Sequence, residues 1–244
     1  MTDGKRVLLL WDVDHTLIEN SGVSKAVYAR AFEALTGRMA RVQPGTDGRT
    51  DYEIMRNLYA ANGVALVPEH ERSWPSALVE SMDALSARLM ADGYALPGVL
   101  KALTAIDAIP SIVQSVLTGN IRANAEAKLR LLGSYASLLD LDVGGYGSDD
   151  IVRSRLVGVA QDKAAKKYRH RFERTSTVLV GDTERDVAAA LDGGAMIIGV
   201  ATGVTSEEEL RQAGAHIVVP SLVDVSLLLD ALRELTGQAL EAAV

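Results

Sequence analysis

Five apolar residues, Val7 to Trp11, run without a break into Asp12. An uninterrupted run of that length predicts a strand buried on both faces, as a parallel sheet requires. No comparable strand follows until after Pro97-Gly98. Apolar positions recur at helical spacing instead: Val27, Ala31 and Leu35 before Gly37, Ile54 and Leu58 before Gly63, then Leu78, Met82, Leu85 and Leu89 before Gly93. Thr50-Asp51-Tyr52-Glu53 has the spacing of a capping box and opens the second of these helices. The block from about Gly22 to Tyr94 therefore reads as helical.

Beyond Pro97-Gly98 strand and helix signals alternate. A helix over residues 99–107 precedes an apolar strand, 111–117, that ends at Thr118-Gly119-Asn120. A helix near 123–132 leads to a short strand around 139–143. A further helix near 151–168 precedes a strand over 177–180, closed by Gly181-Asp182. Residues 196–201 form the next strand, Ser206-Glu207-Glu208-Glu209 is a second capping box, and 216–219 is a last strand before a C-terminal helix. Repeated strand–helix units imply right-handed crossovers and an α/β fold, a doubly wound parallel sheet with helices on both faces. The expected division is an α/β core domain of residues 1–20 and 95–244, interrupted by an α-helical domain of residues 21–94.

Composition narrows the function classes. Apolar residues make up 48% of the 244 and charged residues 23%, the balance of a chain with a folded core. Aromatics at 5% leave few platforms for stacking single-stranded nucleic acid. With 25 Lys and Arg against 32 Asp and Glu, the net charge is −7, so there is no general pull toward nucleic acid or anionic membranes. The basic positions Lys163, Lys166, Lys167, Arg169, Arg171 and Arg174 read as a solvated helix face. Absence of cysteine excludes disulfides, zinc–thiolate sites and a cysteine nucleophile. The apolar run after Met1–Arg6 is too short for a signal peptide, and no run approaches the about 18 residues of a membrane helix. A soluble, cytoplasmic protein is expected, with no nucleic-acid or membrane partner; the oligomeric state is not legible.

Ligands of open α/β sheets bind beyond the carboxyl ends of the strands, and three predicted strands end in polar clusters. These are Asp12-Val13-Asp14-His15-Thr16, Thr118-Gly119-Asn120 and Gly181-Asp182-Thr183-Glu184-Arg185-Asp186. Carboxylates converging on one pocket repel unless a cation sits among them, and hard oxygen ligands with a substrate phosphate describe a Mg²⁺ site. The three clusters, in this order, resemble motifs I, II and IV of the haloacid-dehalogenase-like (HAD) phosphohydrolases, phosphoglycolate phosphatases in particular. The resemblance covers the whole chain, and the helical insertion follows motif I as in members with an α-helical cap.

That resemblance implies a Rossmann-like core and a role for each motif residue. Asp12 would be the nucleophile, forming an aspartyl-phosphate, and Asp14 the acid that protonates the leaving oxygen and later deprotonates water. Dehalogenase members lack this second aspartate, so its presence favours phosphoryl transfer. Thr118 would donate to a phosphoryl oxygen, with Gly119 and Asn120 beside it in the phosphate-binding turn. Asp182 would bind Mg²⁺ with Asp12 and the main-chain carbonyl of Asp14, while Asp186 orients that shell or simply charges a helix N-terminus. His15 stands where the family most often has glycine. The Lys-Pro dipeptide usual before motif IV is missing, so the motif III cation is expected from Arg153 at the start of the preceding helix, then Lys128, then Lys163. Arg49, in the loop Gly45–Asp51 of the cap, is the expected substrate contact, gripping a carboxylate or second phosphate. The activity implied is a Mg²⁺-dependent phosphatase of a small phosphorylated metabolite. A phosphomutase of the β-phosphoglucomutase kind carries the same motifs. A non-catalytic receiver-like phosphate-binding protein would be about half as long and would lack the helical insertion.

Overall fold

The structure, a computed structural model, describes residues 7–237; residues 1–6, ahead of the first apolar run, lie outside it. In chain order the elements are β1 (Val7–Trp11), β2 (Ile18–Glu19), α1 (Val23–Thr36), α2 (Asp51–Ala61), α3 (Pro68–Ala84), α4 (Ser86–Asp92), β3 (Tyr94–Ala95) and α5 (Val99–Asp107). There follow β4 (Ile112–Thr118), α6 (Arg122–Leu129), β5 (Gly145–Tyr146), α7 (Arg155–Tyr168), β6 (Thr177–Gly181) and α8 (Glu184–Gly193). The chain closes with β7 (Met196–Val200), α9 (Glu207–Gln212), β8 (Ile217–Val219) and α10 (Val225–Thr236).

Six strands form a parallel sheet in the order β5-β4-β1-β6-β7-β8. The unbroken apolar run of β1 follows from its central place. Val7, Leu9 and Trp11 join one cluster with α5, α6 and α10, while Leu8 and Leu10 join a second with α7, α8 and α9. Each fully buried aliphatic side chain contributes roughly 1.5–3 kcal/mol. Strand order reverses about β1, and register aligns Trp11 with Val116 of β4 and Val180 of β6. Asp12, Thr118 and Asp182 thus leave the sheet along one edge, within a residue of the same level.

A third apolar cluster gathers α1 to α4 around Phe32, Leu58, Trp74 and Leu78, and it includes Ile121 and Ala127 from the α6 region. Asn124 Nδ2 donates to the Leu78 carbonyl at 3.3 Å. The helical block is therefore seated on α6 of the sheet layer. No helix of the described residues is long and apolar enough to cross a membrane.

Several local expectations need correction. The antiparallel pairing of β2 with β3, Ile18 to Ala95 and Glu19 to Tyr94, was not foreseen, because two-residue strands carry no period. The strand expected at 139–143 is displaced to Gly145–Tyr146, with a 3₁₀ turn over Leu141–Val143. Leu139 and Val143 are buried as expected, and Asp140 N donates to Gln114 O of β4 at 2.8 Å without a strand forming there. The helix expected from 151 begins at Arg155, since the Asp150 carboxylate holds Val152 N at 2.8 Å in a turn. The helix at 123–132 ends at Leu129 and continues as 3₁₀, and the third cap stripe splits at Leu85. The Ser206 box is complete, whereas at Thr50 only half forms, the hydroxyl accepting from Glu53 N at 3.3 Å.

Gly22 and Gly98 flank the two crossings between sheet layer and helical block, both at positive φ (77° and 88°). A Cβ on Gly22 would meet nothing within 4 Å, but one on Gly98 would lie 2.1 Å from the Leu222 carbonyl oxygen. Gly22→Ala should cost the left-handed strain alone, about 1–2 kcal/mol. Gly98→Ala should cost clearly more, read as the larger fall in Tm; equal falls would show that the Leu222 contact yields freely.

Candidate active site

Asp12 follows β1, its amide donating to the Val180 carbonyl at 2.8 Å. Its Oδ1 accepts from Arg153 Nη2 at 2.8 Å, and the same nitrogen donates to Asp186 Oδ1 at 2.5 Å. Asp186 is also half of a helix cap. Its Oδ2 accepts from Thr183 N at 3.0 Å and Thr183 Oγ1 at 2.6 Å, while Thr183 Oγ1 accepts from Asp186 N, so the box fixes the carboxylate at the start of α8. Asp182 Oδ1 accepts from Thr16 Oγ1 at 2.9 Å. Asp12, Asp182 and Asp186, all buried, bring ligand oxygens within 4.8 Å of one another.

Burial pushes the Asp12 carboxyl up to about 7; Arg153 works against this, and the charges of Asp186 and Asp14 add to it. Burial, with Asp186 and Asp12, lifts Asp182 well above the ordinary carboxylate range. For Arg153 burial acts downward, but Asp186 and Asp12 outweigh it and hold the guanidinium charged. Three carboxylates against one guanidinium leave a deficit of positive charge among oxygen donors, which fits a hard divalent cation such as Mg²⁺.

Asp14 occupies a separate polar nest. Its Oδ1 accepts from Asn20 Nδ2 at 2.7 Å, and its Oδ2 from Asn120 Nδ2 at 2.8 Å and Lys128 Nζ at 2.6 Å. Lys128, 1% exposed, also donates to Asn120 Oδ1 at 2.6 Å. Asn120 Nδ2 reaches Thr118 Oγ1 at 2.7 Å. Burial pushes Asp14 up, but Lys128 and Asn120 outweigh it and hold the carboxyl below its ordinary value. His15, at φ 61°, makes the left-handed turn between Asp14 and β2 and sets its Nδ1 2.9 Å from Glu19 Oε2.

Arg153 and Lys128 are thus not alternatives for one place: the first sits on Asp12, the second on Asp14. Arg153 does so from the turn before α7 rather than from the helix itself. Lys163 lies elsewhere, donating to the Gly144 carbonyl and to Asp149.

The helical block reaches the same cavity. Asp51, the first residue of α2, donates its amide to Gly119 O at 2.7 Å, and its carboxylate accepts from Ile121 N at 2.8 Å and Tyr28 OH at 2.6 Å. Burial raises Asp51 to about 6 against the pull of Lys128 and these hydrogen bonds. A Cβ on Gly119 would lie 1.9 Å from the Arg49 carbonyl oxygen, so only glycine admits this approach. Arg49 lines the cavity with Asp12, Asp14, Asn20, Ser24 and Thr118, its Nε 3.4 Å from Glu53. The space left is about 40 Å³, room for about three waters. Sequence reasoning missed Thr16, Asn20, Ser24 and Tyr28, which look like ordinary turn and helix residues. Asp51 was hidden by its place in a capping box.

Residues 155–225 match the HAD-hydrolase-like family model. The chain is 25% identical to the probable phosphatase IndB of Dickeya dadantii (strain 3937) over 234 residues, 94% of this chain and 96% of that protein. It superposes on a hydrolase from Pseudomonas syringae with a TM-score of 0.69 at 19% identity, covering 93% of this chain and 99% of that one. CbbY from Rhodobacter sphaeroides, in complex with phosphate, gives a TM-score of 0.69 at 19% identity over 90% and 96% of the two chains.

Gly119→Ala should push the Arg49–Asp51 backbone off the sheet edge. Hydrogen exchange at the Asp51 amide should then speed up by at least tenfold, with exchange in β1 unchanged. Unaltered protection of Asp51 would show that the loop accommodates a methyl group.

Proposed function

We propose that the chain is a haloacid-dehalogenase-like hydrolase, a cytoplasmic, Mg²⁺-dependent phosphatase of a small phosphorylated metabolite, working through an aspartyl-phosphate on Asp12. The observation that carries this reading is geometric: two aspartates two residues apart line one cavity with Thr118, Asp12 held by Arg153 beside Asp182 and Asp186, and Asp14 held by Lys128 away from them. Such a separation suits a nucleophile within the carboxylate cluster and a proton carrier outside it.

Asp12, Asp182 and Asp186 would hold the metal with the Asp14 carbonyl, and the metal would neutralise phosphoryl charge and favour ionised Asp12. Asp12 would attack phosphorus in line while the leaving oxygen departs with a proton relayed by Asp14. Lys128 favours Asp14 as the carboxylate, so Asp14 first takes that proton up from a monoanionic phosphate ester or from solvent. In the second half-reaction Asp14, which Lys128 favours as the carboxylate, takes a proton from the attacking water. Thr118 Oγ1 accepts from Asn120 through both its amide and its Nδ2, which leaves the hydroxyl proton for a phosphoryl oxygen. Arg153 Nε, buried without a hydrogen-bond partner among the described residues, is a second donor suited to that oxygen. Gly119 and Asn120 shape the phosphate turn, and Arg49 faces the leaving-group side.

Asp12→Asn should abolish turnover with the fold intact, because an amide cannot attack phosphorus. Asp14→Asn should turn over slowly and accumulate an aspartyl-phosphate, seen as a phosphate-sized mass increase on the peptide holding Asp12. Retained activity in the first variant would sink the covalent mechanism.

The raised values of Asp12 and Asp182 fix the sign of a metal effect on stability. The folded state keeps protons on these groups where the unfolded chain has lost them, so the metal-free protein loses this part of its stability as pH rises from about 4 toward 7. Mg²⁺ must displace those protons at low pH and not at high pH. Its addition should therefore raise Tm more at about pH 8 than at about pH 5.5, and the difference should shrink in Asp182→Asn. A Tm indifferent to Mg²⁺ at both values would remove the metal from the site.

A further inference from the structure

Ser24, in the first turn of α1, lines the cavity and is only 6% exposed. Its Oγ is shut from solvent and has no hydrogen-bond partner among the described residues. An unpaired buried hydroxyl is costly unless a ligand completes it. The polar groups around it are already committed. Asn20 uses Oδ1 to accept from Ser24 N at 3.2 Å and Nδ2 to hold Asp14. Tyr28 gives its hydroxyl proton to Asp51, and both Asp51 oxygens are taken.

Charge on this side of the cavity argues against a second anion. Asp47 and Asp51 both line it, and the guanidinium of Arg49 already faces Glu53, which Arg185 also approaches at 3.1 Å. The aromatic rings among the lining residues are Tyr28, only 4% exposed, and the His15 imidazole, which is tied to Glu19, so the cavity offers a nucleobase no broad open face to stack on. A neutral group rich in hydroxyls suits what remains.

We propose that Ser24 is a specificity-determining residue whose hydroxyl bonds a hydroxyl of the leaving group, and that the substrate is a monophosphate of a neutral polyol or sugar. This rests on the phosphatase reading above and extends it to the substrate class.

The test is steady-state hydrolysis with Mg²⁺ of glycerol phosphate, propyl phosphate of the same chain length, phosphoglycolate, a sugar bisphosphate and p-nitrophenyl phosphate. The wild-type kcat/KM should favour glycerol phosphate over propyl phosphate by about five- to tenfold, the worth of one or two hydrogen bonds. It should also favour glycerol phosphate over both substrates with a second anion. Ser24→Ala should shrink the glycerol-to-propyl ratio to about twofold or less, and Ser24→Thr, which keeps the hydroxyl, should restore it. An undiminished ratio in Ser24→Ala, or a preference for phosphoglycolate or the bisphosphate, would overturn the inference while p-nitrophenyl phosphate hydrolysis left the phosphatase reading standing. Absence of hydrolysis with every substrate would overturn both.

Discussion

Repulsion among three buried carboxylates is the constraint around which the site is organised. Two unit charges 4.8 Å apart, at the effective dielectric of a partly wet protein site, repel by about 3 kcal/mol. The oxygens of Asp12, Asp182 and Asp186 are no farther apart than that. Three such pairs amount to roughly 10 kcal/mol, comparable with the whole stability of a domain. The chain answers with Arg153 between Asp12 and Asp186, hydroxyls from Thr16 and Thr183, and proton uptake where these fall short. A divalent cation would do the same work without protons, and in the proposed mechanism would leave Asp12 ionised for attack.

Asp14 escapes this crowd although only Val13 separates it from Asp12. The left-handed turn at His15 and the pairing of β2 with β3 carry the chain away, and Asn20, Asn120 and Lys128 collect around the second carboxylate. Removing Lys128 from water is expensive, but the ammonium meets one carboxylate and one amide oxygen, so the buried charge is matched. The sequence offered Arg153 and Lys128 as rivals for a single role. In the fold, two neighbouring carboxylates each need a cation, and a linear motif does not say that their side chains part.

What the chain made legible and what it hid divide along physical lines. Long apolar runs with two buried faces, as in β1, β4 and β6, have no other explanation, so the sheet and its functional edge were legible. So were Asp12, Thr118 and Asp182, which sit where those strands stop. The β2–β3 pairing was not, since two residues cannot display a period and the partners, Ile18 with Ala95 and Glu19 with Tyr94, lie 77 and 75 positions apart. Residues 139–143 were misassigned because burial of Leu139 and Val143 looks the same in a 3₁₀ turn as in a strand. Asp51 was concealed for a subtler reason. Its place after Thr50 already had a sufficient local explanation, whereas its carboxylate serves a backbone amide of the α6 segment, 70 residues on.

That contact shows how the helical block and the chemistry are tied through one short element. Ile121, just before α6, gives its amide to Asp51; Asn124 reaches Leu78; Ala127 packs into the cap cluster; Lys128, one residue later, holds Asp14. A helix of eight residues is stiff over that length, so its cap-facing and site-facing contacts move together. If the block moves off α6, that helix loses Asp51 and part of its packing at the end and face next to Asp14, and reseating the block restores these contacts and Lys128's footing in the same step. In the proposed mechanism, the geometry that would close the cavity over Asp12 is therefore also the geometry that would seat Asp14 for proton transfer.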